Sequence, residues 1–346
     1  MRTYIVSRKP FIVPVFIPHI GCPHRCVFCN QKSITGSRND RPSPDQIKEQ
    51  ISEFLGFKGD NRGRVEVAFY GGNFLGLNTS YRHSLLKQAQ EFVNAGRIDS
   101  IRFSTRPDTI SSTSLEELAP YTVGTVEIGL QSMDDKVLTM SRRGHSANAT
   151  IRAVEILRNR GLNVGLQIMP GLPGDTLQSI LETGNSVVKL KPDFVRIYPT
   201  VVIRDTVLEK WYNSGKFQPL SLDEAVDVTK RLYLLFEGRG ISVIRMGLHA
   251  GSSLLEPGNI VAGPFHPAFG HLVHSAVFFD LAARKLETQN DIAKRVKLMV
   301  HPKDVSKAIG LKKENINRLI AQFGLEKLCV VSDRKIPRDT LKIANW

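Results

Sequence analysis

The sequence predicts an α/β fold: a partial or full (β/α) barrel of the TIM type, followed by a small α+β unit. Three observations predict it. Short β-branched, apolar runs alternate with longer segments of helical period up to about residue 250. The length of 346 residues suits one large domain plus a smaller one. Beyond residue 291 the pattern changes and basic charge collects.

In chain order, strands are expected over residues 13–18, 65–70, 100–104, 125–130, 163–169, 194–198 and 241–246. Helices are expected between them over 44–57, 81–95, 114–118, 133–141, 147–160, 177–190 and 221–239. Near-continuous Val and Ile strands alternating with helices imply βαβ units and a parallel sheet covered on both faces. Six or so such units imply a barrel, with its chemistry in the loops that follow the strands. Residues 250–289, punctuated by Gly and Pro, read as a connection with a helix over 271–286. The last part reads as strand 295–300, helix 302–309, basic turn 310–313, helix 315–323 and strand 328–332. The expected division is therefore 1–250, 251–290 and 291–346.

With 41% apolar and 23% charged residues, the composition excludes a disordered chain or a disulfide scaffold. The apolar stretch 11–18 is short, broken by Pro14 and followed by no small-residue cleavage site. No signal peptide, spanning helix or membrane partner is expected, and the cytoplasm is the expected location. Thiols there stay reduced, so clustered cysteines bind metal or do chemistry more often than they pair. The 47 Lys and Arg against 33 Asp and Glu give a formal charge of +14. Residues 291–346 hold 13 Lys and Arg against 6 Asp and Glu, so half of the excess lies in that tail.

Three of the four cysteines lie in Gly21-Cys22-Pro23-His24-Arg25-Cys26-Val27-Phe28-Cys29-Asn30, directly after the first expected strand. A zinc knuckle would need a fourth ligand such as His19 or His24. A four-iron cluster held by three cysteines instead leaves one iron open to a ligand. Further motifs fall at successive strand ends: Tyr70-Gly71-Gly72-Asn73, Ser104-Thr105-Arg106-Pro107-Asp108, Glu127-Ile128-Gly129-Leu130-Gln131-Ser132 with Arg143-Gly144-His145, Gln167-Ile168-Met169-Pro170, and Arg196-Ile197-Tyr198-Pro199. Glycines there let backbone approach a ligand closely. Arg106, Glu127, Arg196, Tyr198, His249 and His266 are candidates for a substrate pocket; a salt-bridged or packing role is the alternative for each. Cys329, in an apolar strand, is expected to be a buried thiol.

Cys22, Cys26 and Cys29, with Phe28 before the last, together with this ordered set, resemble the radical S-adenosylmethionine (SAM) superfamily. The resemblance covers about residues 11–247 and is to the branch of the Elongator catalytic subunit and, more distantly, the oxygen-independent coproporphyrinogen oxidases. It implies a [4Fe-4S] cluster on the three cysteines and SAM chelated by the open iron. It also implies an electron donor such as a flavodoxin or ferredoxin, and cleavage of SAM to a deoxyadenosyl radical that abstracts hydrogen from substrate. SAM contacts are implied for Phe16, Phe28, Gly71, Gly72, Asn73, Gln131 and Arg143. Ser104 and Gln167 stand where the porphyrinogen oxidases carry acidic residues, and neutral acceptors weaken that assignment. Too few residues follow the expected barrel for the acetyltransferase domain of Elongator-type enzymes. The tail resembles a KH domain at its helix–GxxG–helix core, with Gly310 in place and Lys313 where the second glycine belongs. Lys312 and Lys313 are then expected to reach phosphate as point charges, a solvated cap on the barrel being the alternative. The resulting expectation is a radical SAM enzyme acting on RNA, in particular tRNA. Its rivals are a tetrapyrrole or other small-molecule substrate, and a non-catalytic iron–sulfur protein that binds RNA or senses iron.

Overall fold

The computed structural model describes residues 10–17, 21–30, 41–57, 63–248, 254–289 and 293–345. The chain opens with β1 (Phe11–Phe16), α1 (Pro44–Gly56), β2 (Val65–Tyr70), α2 (Thr79–Asn94), β3 (Ser100–Thr105), α3 (Ser112–Glu116) and β4 (Val123–Gln131). It continues with α4 (Asp135–Met140), α5 (Ala147–Asn159), β5 (Asn163–Ile168), α6 (Leu177–Leu190), β6 (Phe194–Ile197), β7 (Val202–Ile203), α7 (Val207–Asn213), α8 (Leu222–Glu237) and β8 (Ser242–Met246). Helix starts follow side-chain capping: Ser43 with Gln46 closes α1, Thr176 with Ser179 closes α6, and Ser221 with Glu224 closes α8.

Seven strands form one sheet in the order β1-β2-β3-β4-β5-β6-β8, every neighbour parallel. The sheet curls into a half-barrel, the partial form of the expected architecture. The expectation of uniformly apolar strands is corrected, because each strand alternates. Val67, Phe69, Ile101, Phe103, Val126, Ile128, Val164, Leu166, Val195 and Ile197 point outward into one apolar cluster with Ile47, Leu85, Leu157, Val187 and Phe236 of the surrounding helices. Each such side chain, fully buried, contributes about 1.5–3 kcal/mol. The intervening positions, among them Glu66, Arg102 and Glu127, face the hollow and are themselves buried. One face of this sheet is thus a helix-covered core and the other a polar interior.

After β8 come β9 (Ile260–Ala262), α9 (Phe269–Glu287), β10 (Arg295–Val300), α10 (Val305–Ile309), α11 (Glu314–Phe323), β11 (Lys327–Ser332) and β12 (Leu341–Asn345). Sequence reading missed β7, β9, α7 and β12. β7 and β9 form a two-stranded antiparallel ribbon. The tail sheet has the order β11-β10-β12, with β10 parallel to β11 and antiparallel to β12. The expected connecting helix is more than a connection. Its first half, through Phe269 and Val273, packs with Ala225. Its second half, through Phe278, Ala282, Ala283 and Leu286, packs with Val296, Leu298, Leu319 and Leu328 of the tail. Among the described residues, no helix is long and apolar enough to cross a membrane.

Candidate active site

The cysteine loop follows β1 at the C-terminal edge of the sheet, and three devices hold it. Gly21 adopts φ +97°, and a Cβ there would lie 2.6 Å from the Gly76 carbonyl carbon, so only glycine fits. The Asn73 side chain donates from Nδ2 to Gly21 O at 3.0 Å. Its Oδ1 accepts from Thr105 Oγ1 at 2.6 Å, Thr109 Oγ1 at 3.0 Å and the Arg106 amide at 3.2 Å. Asn73, expected at a SAM contact, therefore pins the cysteine loop to the end of β3. Further along, Val27 N–H donates to Ser141 O, and Val27 O accepts from Leu208 N–H. Phe28 packs in the apolar cluster of Val27, Val202, Leu208 and Trp211, so β7 and α7, unforeseen in the sequence, form a wall of the loop.

Two guanidinium groups stand among the thiols. Arg143 Nη1 donates to Cys26 Sγ at 3.2 Å, while Nη2 bonds Gly129 O and Nε donates to His145 Nε2 at 3.3 Å. Arg106 was expected in a substrate pocket, but it is 1% exposed. Asp108 clamps it at 2.9 Å on both Nε and Nη2. Arg106 Nη2 also reaches Arg143 O, and Nη1 has no partner. Burial pushes the Cys22 thiol up to about 11, Arg106 and Arg143 offsetting part of the shift. Metal binding at Cys22 must accordingly displace a proton. Burial and the Arg143 charge hold His145 down at about 4, so its ring is neutral at pH 7.

Beside the loop, Gly71 at φ +133° passes so close to β1 that a Cβ would lie 2.1 Å from Ile17 O. Gly71, Gly72 and Ser104 line one small cavity with Ile17 and Tyr70. Phe16 stands at its edge, 44% exposed and tilted against Tyr70 at 6.0 Å. At the end of β4, the register with β5 shifts between Gly129 and Gln131. Gln131 takes φ 68°, and this bulge brings its Oε1 to within 3.2 Å of Gln167 Nε2, which donates to it. The two glutamines, paired in sequence reasoning only as separate SAM contacts, thus meet.

Below them runs an ion-pair network that the sequence reading held only in part. Arg102 donates to Glu66 Oε2 at 2.7 Å and to Glu127 Oε1 at 3.0 Å. Arg196 Nε lies 2.8 Å from Glu127 Oε2, and its Nη2 donates to Glu127 Oε1 and to Tyr70 OH, both at 2.8 Å. Arg196 Nη1 donates to Tyr198 OH at 3.2 Å, and its guanidinium lies 5.1 Å over the Tyr70 ring. Burial, reinforced by Glu127, pushes the Tyr70 hydroxyl up to about 12, so it stays a phenol. Glu127 therefore binds cations within the wall, while Arg196, Tyr70 and Tyr198 mark the upper rim. The polar letter at every second place of Val65-Glu66-Val67, Ile101-Arg102-Phe103 and Val126-Glu127-Ile128 was the available signal for Glu66 and Arg102.

Other expected residues are dispersed. His249 and His19 lie outside the described residues. His266 Nδ1 accepts from Ala268 N–H at 3.0 Å, a turn-closing role at the start of α9. The His24 ring fills the space over Gly144, where a Cβ would lie 2.4 Å from it. Cys329 is half-buried on the tail sheet and not a core thiol, because odd positions of β11 face away from the helices. Gly310, at φ 78°, abuts Asn315, where a Cβ would lie 2.9 Å from its nitrogen. Lys312 and Lys313 are exposed, both with positive φ.

The residues fit an iron–sulfur cluster and its SAM ligand. Cys22, Cys26 and Cys29 provide thiol donors, Arg143 already bonds one sulfur, and the unpartnered Nη1 of buried Arg106 is a donor awaiting an acceptor. Among the described residues, no three His, Cys, Asp or Glu side chains form a group that could hold a single metal ion. In a cluster, by contrast, each thiolate has its own iron.

The pattern of the radical SAM superfamily matches residues 16–187, and that of the radical SAM C-terminal domain matches residues 192–277. The tRNA uridine(34) acetyltransferase of Dehalococcoides mccartyi is 26% identical over 239 residues, 60% of this chain and 52% of the relative. The chain thus spans about half the length of that relative. An uncharacterized protein of Methanocaldococcus jannaschii is 30% identical over 237 residues, 64% of this chain and 70% of the relative. The solved structure of the archaeal Methanocaldococcus infernus Elp3 with an N-terminal deletion superposes with a TM-score of 0.61 at 21% identity, covering 78% of this chain and 63% of that one. That likeness shows the fold, a half-barrel of the same kind. With the cysteine loop, the glycine shelf and the strand-end arginine all at the open edge of this sheet, the chain belongs to the radical SAM superfamily.

Proposed function

We propose that this chain is a cytoplasmic radical SAM enzyme that modifies RNA, with tRNA as its substrate. The observation that carries the reading is the Cys22–Cys26–Cys29 loop, locked by Asn73 onto Gly21 and touched at Cys26 by Arg143, at the C-terminal edge of a parallel half-barrel. Bound there, the cluster and SAM supply reductive cleavage of a sulfonium and removal of hydrogen from substrate. The Gly71–Gly72 backbone offers a shelf without side chains for the amino acid part of SAM. Ser104, Gln131 and Gln167 offer neutral acceptors and donors to its ribose, and Phe16 an apolar face. Arg196 and Tyr198, at the rim, are placed to orient substrate. Arg106 and Arg143 hold positive charge against the thiolates, which stabilises them in the deprotonated form that iron binding requires. The KH-like turn with Gly310, Lys312 and Lys313 supplies cations toward RNA, and a flavodoxin or ferredoxin supplies electrons. The tRNA assignment is supported by the relative named as a tRNA uridine(34) acetyltransferase.

Anaerobic reconstitution with iron and sulfide tests the first half. Four irons per chain, and deoxyadenosine formed from SAM on reduction, are expected, both lost in Cys26→Ala. A reconstituted protein that leaves SAM intact overturns the reading. Mass spectrometry of total tRNA from a strain lacking the protein tests the second half; an unchanged nucleoside profile overturns the tRNA assignment.

A further inference from the structure

The half-barrel is open along one side. β1 and β8 end its sheet, β1 bonded to β2 alone and β8 to β6 alone, so among the described residues no strand closes the hollow between them. The last strand is irregular there. Val243 and Met246, opposite Val195 and Ile197, pack outward on the main core, and the two residues between them, Ile244 and Arg245, stand against the single Arg196. This bulge turns Arg245 to the side that Arg196 takes, the hollow. Arg196 is in turn the register partner of Gln167, which bonds Gln131. Arg245, Arg196 and Gln167 thus form one row that leads from the opening to the glutamine pair.

The acids of the hollow are already engaged. Arg64 and Arg102 share Glu66, and Arg102 and Arg196 share Glu127. Glu237, just before the strand, accepts from the Val243 amide at 3.1 Å. Arg245 is exposed, and among the described residues its guanidinium pairs with no carboxylate. Water at the open side solvates that charge, and its planar fork of N–H donors matches a phosphate. Next in the row, Tyr198 OH accepts from Arg196 Nη1 and so keeps its own proton to donate. We infer that Arg245, with Arg196 and Tyr198 behind it, is a subsite for one backbone phosphate of the nucleotide being modified. The inference rests on the tRNA reading above and names the group by which that site holds its substrate. A phosphate gripped at the opening directs the attached sugar and base along the row, toward the glutamines and the glycine shelf.

The test uses the full chain, reconstituted anaerobically, and an unmodified tRNA transcript, with binding measured by anisotropy across a salt series. Arg245→Gln should make the plot of log affinity against log salt shallower by about one, uniformly across RNA sequences, and Arg245→Lys should restore the slope. Melting temperature and iron content should match those of the wild type, because an exposed side chain without an ion pair contributes little to the fold. An unchanged slope in Arg245→Gln, with wild-type protein still bound to tRNA, overturns the subsite and leaves the tRNA reading standing. A slope that Arg245→Lys fails to restore marks a structural loss and overturns the subsite as well. Wild-type protein with no salt-dependent binding overturns both readings. If Arg245→Gln instead raises the mass seen by light scattering at an unchanged slope, the charge only guards the edge of β8 against another strand, and the subsite falls.

Discussion

Glu66, Arg102, Glu127 and Arg196 face the hollow of the half-barrel and bind one another, whereas Arg295 of the tail sheet pairs with Glu326 in the open, both side chains 60% exposed. Both sheets follow the same period of two. They differ in what lies over the polar face. Inside the hollow, water is scarce and a lone charge is expensive, so acids and bases alternate from strand to strand. At the Arg295–Glu326 pair of the tail sheet, water reaches both charges and the pairing is weak. Enclosure therefore dictates pairing, and exposure makes a pair dispensable.

The contrast breaks first at Glu127. Glu127→Leu would leave Arg196 without a carboxylate and Arg102 with Glu66 alone, and should lower unfolding stability in urea by about 3–5 kcal/mol; a loss under about 1 kcal/mol would mean the interior is wetter than its burial indicates. The buried acid of the tail comes next. Asp304→Asn removes the charge that Arg338 and Lys307 grip and should cost about 1–3 kcal/mol in the same assay, because Arg338 is half-exposed and can rehydrate.

Acid sharpens the comparison further. Burial, with Lys307 nearby, holds His274 of α9 down at about 4, below its ordinary 6.5. The unfolded chain therefore takes up that proton first, and stability present above pH 6.5 is lost as pH falls toward 4. Burial pushes the Asp304 carboxyl up, but its bonds to Arg338, the Asp339 amide and Lys307 outweigh that and hold it at about 2. Its contribution, present above about pH 4, is lost between there and about 2. The melting temperature should hence fall on stepping from pH 7 to 4; a flat profile would refute the buried, neutral state of His274. The smallest effect belongs to the exposed pair. Glu326→Gln should change stability by less than about 0.5 kcal/mol, and a larger loss would show that Arg295 depends on it.

Much of this was legible in the chain. The cysteine spacing, the order of strand-end motifs and most strand positions follow from local pattern, and each was found near where it was expected. What the sequence withheld is of two kinds. Short elements carry too little period to be seen: β7 has two residues and β9 three, yet β7 and α7 wall the cysteine loop at Phe28. Pairings across the sheet are non-local as well. Glu66 meets Arg102, and Glu127 meets Arg196 sixty-nine residues on, so alternation shows that a charge faces the hollow but not which charge it meets. The same limit hid the task of Asn73, whose four partners come from two loops and a strand end, and the burial of Arg106 beneath the thiols.

Helix α9 carries a mechanical consequence. Nineteen residues make a rod of about 28 Å, with no proline inside it. One end wedges Phe269 under Gly247, just past the last barrel strand, where a Cβ would lie 2.6 Å away. The other end is embedded in the tail. Such a strut cannot bend within either anchorage, so a load placed on the tail sheet is transmitted as torque to the rim of the half-barrel, and the two ends tilt together.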